Sequence, residues 1–196
     1  VSVMPCTAKK FEIGREDEDA NGMPDVDISI TTRELARMIK KAGIKFLSLP
    51  DEKFDDPLGI GTGAGVIFGA TGGVMEAALR TAYEYITGEQ APGVLYELTP
   101  VRGMEAVREA SLQIADMTVN VAVVYGTASL RRFLEEMRNG EKQYHFVEVM
   151  TCPGGCIGGG GQPKDKKFEG DALRQKRIDS LYKRDGAMTV RLSHEN

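Results

Sequence analysis

The 196-residue chain is poor in the side chains that bind metals or cross-link: three cysteines, at 6, 152 and 156, and two histidines, at 145 and 194. An odd number of thiols with no leader at the start argues against a disulfide framework and fits a reducing compartment, so a cytoplasmic location is expected. The first residues hold no basic n-region, apolar h-region and cleavage site, so export is not indicated; a signal further upstream stays open, because the chain opens at Val1. No apolar run approaches the roughly 18–20 residues that cross a bilayer, and no membrane span is expected. Neither sign of charge dominates, with 25 Lys and Arg against 29 Asp and Glu. A net charge of -4 with scattered basic residues argues against nucleic acid as the main partner.

What is present is ordinary in bulk and uneven in detail. At 41% hydrophobic and 28% charged, the composition is that of a folded chain long enough to bury a core. Strand and helix patterns alternate. Val1–Met4 and Val26–Ile30 read as strands. Thr31 with Glu34 forms a capping box ahead of a helix carrying Leu35, Met38, Ile39 and Ala42, stopped by Gly43. A second helix is predicted over 73–87, with Val74, Ala77, Ala78, Ala82 and Ile86 inward and Gly88 behind it. Val119–Tyr125, apolar but for Asn120, reads as a strand. A helix with Leu130, Phe133, Leu134 and Met137 on one face follows, ended by Asn139-Gly140, and then strand 144–149. That succession has the length of a β-α-β unit, so the expected fold is α/β with a mainly parallel sheet flanked by helices. Leu173, Ile178, Leu181 and Tyr182 mark the buried side of a last helix. The stretch from Asp51 to Thr71 is glycine-rich and aperiodic, which in a compact domain marks a functional or poorly ordered loop.

The chemistry concentrates in Met150-Thr151-Cys152-Pro153-Gly154-Gly155-Cys156-Ile157-Gly158-Gly159-Gly160-Gly161-Gln162-Pro163. Two thiols in a loop of glycine let a bulky inorganic ligand meet backbone N–H groups with no side chain between. Cys6 stands in a second Pro-bracketed loop, Met4-Pro5-Cys6-Thr7-Ala8-Lys9-Lys10-Phe11-Glu12. Three thiols suggest a soft-metal or iron–sulfur site lacking one ligand. Taken alone, Cys6 reads more readily as a buried small hydrophobe and Lys9 as a solvated surface lysine. A Pro-Gly-Gly spacer has no packing virtue, which favours Cys152 and Cys156 as ligands. Zinc fits poorly, because structural zinc prefers C-x₂-C knuckles and neither His145 nor His194 lies at ligand spacing from the thiols. If the strands leading to Cys6 and Cys152 are parallel neighbours, all three thiols meet at one carboxyl edge of a sheet.

The glycines of 59–73 only begin like a dinucleotide loop, since Val66 stands where the third glycine belongs. Gly72-Gly73 at the mouth of a helix serves either close packing or the approach of an anion to free helix N–H groups. The runs Arg15–Asp19 and Lys164–Lys167 read as solvated loops; the acidic one is alternatively a docking surface for a redox partner.

With these motifs in view, the chain resembles the catalytic, H-cluster-bearing domain of [FeFe]-hydrogenases. Met4–Lys10 with Glu12 is similar to one family signature and Met150–Gly160 with Gln162-Pro163 to another, and Phe68-Gly69-Ala70-Thr71-Gly72-Gly73-Val74-Met75-Glu76-Ala77-Ala78-Leu79-Arg80 between them is also typical. The resemblance implies that Cys6, Cys152 and Cys156 are ligands of a [4Fe–4S] cubane. Cys156 matches the thiolate that bridges the cubane to a di-iron centre carrying CO and cyanide. Lys9 matches the residue that hydrogen-bonds a cyanide, and Met4, Met150 and Phe68 match residues lining the apolar pocket. The implied activity of the intact protein is reversible reduction of two protons to hydrogen. Its implied electron partner is ferredoxin or a nicotinamide-linked subunit.

The family's Thr-Ser-Cys-Cys-Pro-type signature, with the fourth cubane ligand and a proton-relaying cysteine, has no counterpart here. The resemblance therefore implies that residues 1–196 are a single α/β lobe, a fragment of a longer chain. As such it is expected to turn over no hydrogen, and its cofactor content ranges down to no bound cluster. The N-terminal lobe becomes an expected partner, and self-association through the face it leaves exposed is expected in its absence. A hydrogenase-like iron–sulfur protein of cluster assembly or sensing is the alternative; Lys9 and the intact thiol loop weigh against it.

Overall fold

The computed structural model describes residues 1–55, 59–164 and 170–195. The chain forms two compact units, Val1–Pro57 with Gly158–Lys166 and Leu58–Ile157 with Lys167–Asn196. Among the described residues no helix is long and apolar enough to cross a membrane.

In the first unit, β1 (Ser2–Met4) and β4 (Ser29–Thr31) pair in parallel, Ser2 against Ser29 and Met4 against Thr31. Between them lie α1 (Lys9–Glu12) and a small antiparallel pair, β2 (Asp19–Ala20) with β3 (Met23–Pro24). The strand expected at 26–30 is shorter and later, because Thr31 ends it by turning into the N-cap of α2 (Thr32–Lys41). The capping box forms in full: Glu34 N donates to Thr31 Oγ1 at 3.2 Å, and Thr31 N donates to Glu34 Oε2 at 2.8 Å. Gly43 follows at φ +71, as a helix stop requires. The glycine run closes the unit. Gly161 N donates to Pro5 O at 2.8 Å, Arg33 N donates to Gly161 O at 3.2 Å, and Arg33 Nη2 donates to Gly160 O at 2.6 Å. A Cβ at Gly161 would stand 2.9 Å from both Pro5 C and Thr31 Cβ, so only glycine fits.

The second unit carries a three-stranded sheet in the order β5 (Val107–Ile114), β6 (Met117–Tyr125), β7 (Phe146–Met150). Its helices are α3 (Gly63–Ile67), α4 (Gly73–Thr87), α5 (Thr127–Arg138) and α6 (Gly170–Gly186). The expected β-α-β unit is present: β6, α5 and β7, with Val121 opposite Phe146 and Val124 opposite Val149 in parallel. The α/β class holds, but the sheet is mixed. β5, which has no counterpart in the sequence reading, pairs antiparallel with β6 through a tight turn at Ala115-Asp116. Its alternation of Arg108, Ala110, Leu112 and Ile114 with polar residues is that of a strand, yet the charge of Arg108 masks it.

The inner part of β6, Val121–Val124, is apolar because both its faces are covered. Val121 and Val123 pack with Met75, Leu79, Leu95, Leu98 and Val101, while Ala122 and Val124 pack with Phe133 and, on the same helix, Leu130 and Met137. Leu134, expected inward, is 44% exposed, because Phe133 takes the buried direction. A larger correction concerns α4. Its bounds are as expected, but Val74, Ala78 and Ala82 are only half-buried and Ile86 is exposed. The buried side carries Met75, Glu76, Ala77, Leu79 and Arg80. Two charged residues point inward because partners await them. Glu76 Oε1 accepts from Arg80 Nη2 and Arg102 Nη2, each at 2.6 Å. Asp185 of α6 accepts from Arg80 at 2.9–3.1 Å and from Arg191 at 2.6–3.2 Å. Burial pushes the Asp185 carboxyl up, and the hydrogen bonds from Arg191 and Arg80 outweigh it, leaving it below the usual range.

The loop expected at 51–71 is structured in its second half. Thr62 caps α3 by accepting from Gly65 N at 3.1 Å, and α3 lies against α6. On α6, Ile178 is buried and Leu181 and Tyr182 pack beside it, as expected, while Leu173 is half-buried. Residues 165–167 of the basic run lie outside the described residues.

Candidate functional site

Each expected ligand loop begins at the carboxyl end of a strand with a parallel partner. Cys6 follows β1 by way of Pro5 and is half-buried. Met4, on β1, is half-buried too. Lys9 opens α1 and forms an ion pair with Glu12 one turn on. The hydrogen bond to Glu12 raises the Lys9 ammonium above its ordinary range; partial burial opposes this, and the nearby Cys6 adds to it. The first unit thus sets a thiol and a firmly protonated cation three residues apart, held from behind by Gly161.

In the second unit, β7 ends at Met150, which pairs with Tyr125 and is half-buried. Cys152 is half-buried and Cys156 exposed, and neither is in a disulfide. The chain between them is built for glycine. Gly154 and Gly155 stand at φ +77 and +93, and Gly155 N donates to Cys152 O at 3.0 Å. A Cβ on Gly155 would lie 2.6 Å from Thr71 N and 2.9 Å from Gly69 O. The thiol loop is laid directly on the Gly69–Thr71 backbone, through Thr71 N donating to Gly154 O and Ile157 N donating to Gly69 O, each at 3.0 Å. Arg177 of α6 donates to Ile157 O at 2.9 Å. Phe68, next to this seam, is 45% exposed.

The single sheet edge expected to gather the thiols is not how the chain is built. β1 pairs with β4 in a sheet of its own, and β7 pairs with β6, so the strands before Cys6 and Cys152 are not neighbours. β4 lies far closer to β1 along the chain, and the shorter loop costs less entropy to close. Among the described residues, no three His, Cys, Asp or Glu side chains stand together as a metal-ion site. Neither histidine contributes to a thiol loop. His145 Nδ1 accepts from Asn120 N at 3.0 Å, and His194 sits beside Thr81 and Glu84.

The sequence reading missed one component of the second unit. Glu148, on β7 four residues before Cys152, is 5% exposed and accepts from Gly72 N at 2.6 Å and Met75 N at 2.8 Å. The N-terminus of α4 does meet an anion, and the anion is this carboxylate; close packing of Gly72 and Gly73 against the Val101 and Ile67 carbonyls operates as well. Burial pushes the Glu148 carboxyl up against the pull of these N–H groups. The available signal was a lone acid inside the apolar run Phe146-Val147-Glu148-Val149-Met150.

The donor chemistry suits iron–sulfur ligation. Three thiols stand in the two loops, the backbone between Cys152 and Cys156 lies so close to Gly69–Thr71 that only glycine fits there, and a cation accompanies Cys6. Comparison with known proteins agrees. Residues 1–160 match the family model described as iron only hydrogenase large subunit, C-terminal domain. The chain is 52% identical to NADP-reducing hydrogenase subunit HndD of Solidesulfovibrio fructosivorans, over all of this chain and 33% of that protein. It is 30% identical to cytosolic Fe-S cluster assembly factor narfl of Xenopus tropicalis, over 93% of this chain and 39% of that one. Among solved structures, a variant of [FeFe]-hydrogenase HydA1 from Chlamydomonas reinhardtii superposes with a TM-score of 0.77 at 38% identity, covering 100% of this chain and 55% of that one. The chain thus spans between a third and two fifths of the length of these two curated relatives.

Proposed function

The chain belongs to the iron-only hydrogenase large-subunit family, and on that premise we propose that it supplies one lobe of an H-cluster domain in a protein that interconverts protons and hydrogen. In this reading Cys6, Cys152 and Cys156 would hold the cluster as thiolate ligands, Cys156 being the one that would also serve its di-iron part. When bound, the cluster supplies the redox chemistry and the open iron at which protons are reduced. The chain's own residues hold and shield it. Gly154 and Gly155 let the chain between the two thiols lie directly on the Gly69–Thr71 backbone. Lys9, held protonated by Glu12, offers an ammonium for a cyanide ligand. Met4, Met150 and Phe68 provide apolar walls that exclude water. A longer protein adds the remaining ligand and proton relay, and an electron partner of the ferredoxin or nicotinamide-linked kind.

The observation that carries this reading is the C-x₃-C loop laid on the Gly69–Thr71 backbone at the end of a parallel strand, in a chain whose first 160 residues match the family. Anaerobic reconstitution with iron and sulfide, followed by EPR and iron analysis, tests it. A reduced [4Fe–4S] signal that disappears in Cys152→Ala supports the ligand assignment. The same signal unchanged in that variant would refute it. A second reading, cluster assembly without hydrogen turnover, draws on the similarity to narfl. Hydrogen evolution by the longer protein, lost on Lys9→Ala, separates the two.

A further inference from the structure

We propose that Arg108 and Glu148 are positioning residues for the thiol loop: two buried charges on one face of the sheet that grip the Thr71-Gly72 turn on which Cys152–Ile157 rests. This builds on the reading of Cys152 and Cys156 as cluster ligands.

The register sets the geometry. Arg108 pairs with Val123, and Val123 pairs with Glu148, so the three form a row across β5, β6 and β7 on the face that α4 covers. They are 5%, 0% and 5% exposed. Two strand spacings separate the outer residues by roughly 10 Å, and their side chains bond separate atoms of one turn. The turn before α4 fills the gap. Arg108 Nη2 donates to Thr71 Oγ1 at 2.7 Å, while Glu148 accepts from Gly72 N and Met75 N. Thr71 is fully buried and Gly72 stands at φ +91, so the turn has one conformation to offer. Its outer edge then holds the thiol loop, through Thr71 N to Gly154 O and Ile157 N to Gly69 O. The sequence of contacts runs from two buried charges, through one turn, to the backbone between the two thiols. Phe68 belongs to the same segment.

A buried charge-assisted contact is a costly way to hold a turn that apolar packing alone could cover, and its use here beside a ligand loop indicates a demand for exact placement. Arg108 Nη1 also donates to Gly103 O, so the guanidinium is fixed at two points while it holds Thr71.

The experiment uses the whole chain without cluster: alkylation rates of Cys152 and Cys156 with iodoacetamide, and amide exchange of peptides covering 69–75 and 152–157, both under native conditions. The variants are Glu148→Gln and the isosteric Thr71→Val, which removes only the acceptor of Arg108. Arg102→Met is the comparator, since it weakens the same unit through the Glu76 network without touching the turn. Glu148→Gln is expected to speed Cys152 alkylation and exchange over 69–75 about tenfold, Thr71→Val about threefold, and Arg102→Met less than twofold. Unchanged rates in both turn variants would overturn the proposal, as would an equal rise in Arg102→Met. Should Glu148→Gln not fold, Thr71→Val against Arg102→Met still decides. Cluster loading of the unmodified chain, read by EPR, is separate. Loss of loop order in the variants, together with a cluster signal that Cys152→Ala leaves unchanged, would leave positioning intact and remove the ligand reading.

Discussion

Asp185→Asn is the most demanding test of how the second unit is held together. Asp185 is 1% exposed and takes four hydrogen bonds from Arg80 and Arg191. Arg80 is fully buried, with Glu76 Oε1 and the Leu95 and Arg191 carbonyls as its other acceptors. With Glu76 and Asp185 negative and Arg80, Arg102 and Arg191 positive, the group carries one net positive charge. Removing the Asp185 charge makes it two, beside the fully buried Arg80, and the new amide turns a donor toward a guanidinium. Breaking a buried pair in this way costs about 3–5 kcal/mol. The exposed pair Arg131–Glu135, at 3.6 Å with side chains 83% and 59% exposed, sets the opposite limit, about 0–0.5 kcal/mol for Glu135→Gln. Urea denaturation followed by circular dichroism gives both values from the midpoints. The folded-state pKa of Asp185 lies below its unfolded value, so its contribution is complete above the ordinary carboxylate range and is lost as pH falls through the folded pKa. The gap between wild type and Asp185→Asn should therefore be constant from pH 7 to about 5 and narrow below about pH 4. A cost under about 1 kcal/mol at pH 7, or a gap that widens in acid, would refute the assignment of Asp185 as the ionised centre of this network.

Three further outcomes are expected. Gly155→Ala places a methyl 2.6 Å from Thr71 N at φ +93; it should cost upward of about 2 kcal/mol and abolish iron uptake on reconstitution, measured by iron-to-protein ratio. Thr31→Ala removes the N-cap of α2 and should lower stability by about 1 kcal/mol in urea titrations. The partner acid, Glu34, held at about 2 chiefly by Lys10 with help from Thr31, should keep that cap charged until pH falls below the ordinary carboxylate range, so the 32–41 amides should gain exchange only in strong acid. Ala115→Gly relieves a non-glycine residue at φ +51 in the β5–β6 turn and should raise stability by about 0.5–1 kcal/mol.

Local chemistry was readable along the chain wherever the interacting residues are close in sequence. Thr31 and Glu34 are three apart, so the capping box was evident, and Gly43, Gly88 and Gly140 stop their helices at φ +71, +69 and +75 because only a residue without Cβ turns left-handed at no cost. β6 declared itself by the apolar run Val121–Tyr125, where both its faces are covered. The two thiol motifs were legible for the same reason: a ligand loop keeps its donors, glycines and proline within a few residues. Tertiary structure decided what depends on distant partners. Glu76 and Arg80 looked like solvent-facing charges until Asp185, 105 residues from Arg80, turned that side of α4 inward. Glu148 reaches Gly72 across 76 residues, and Arg108 reaches Thr71 across 37. Whether the strands before Cys6 and Cys152 are neighbours stayed a condition in the sequence, because pairing is chosen by loop closure and register, which the motifs do not encode. A charge is read as exposed until its partner is known, and the partner is supplied only by the fold.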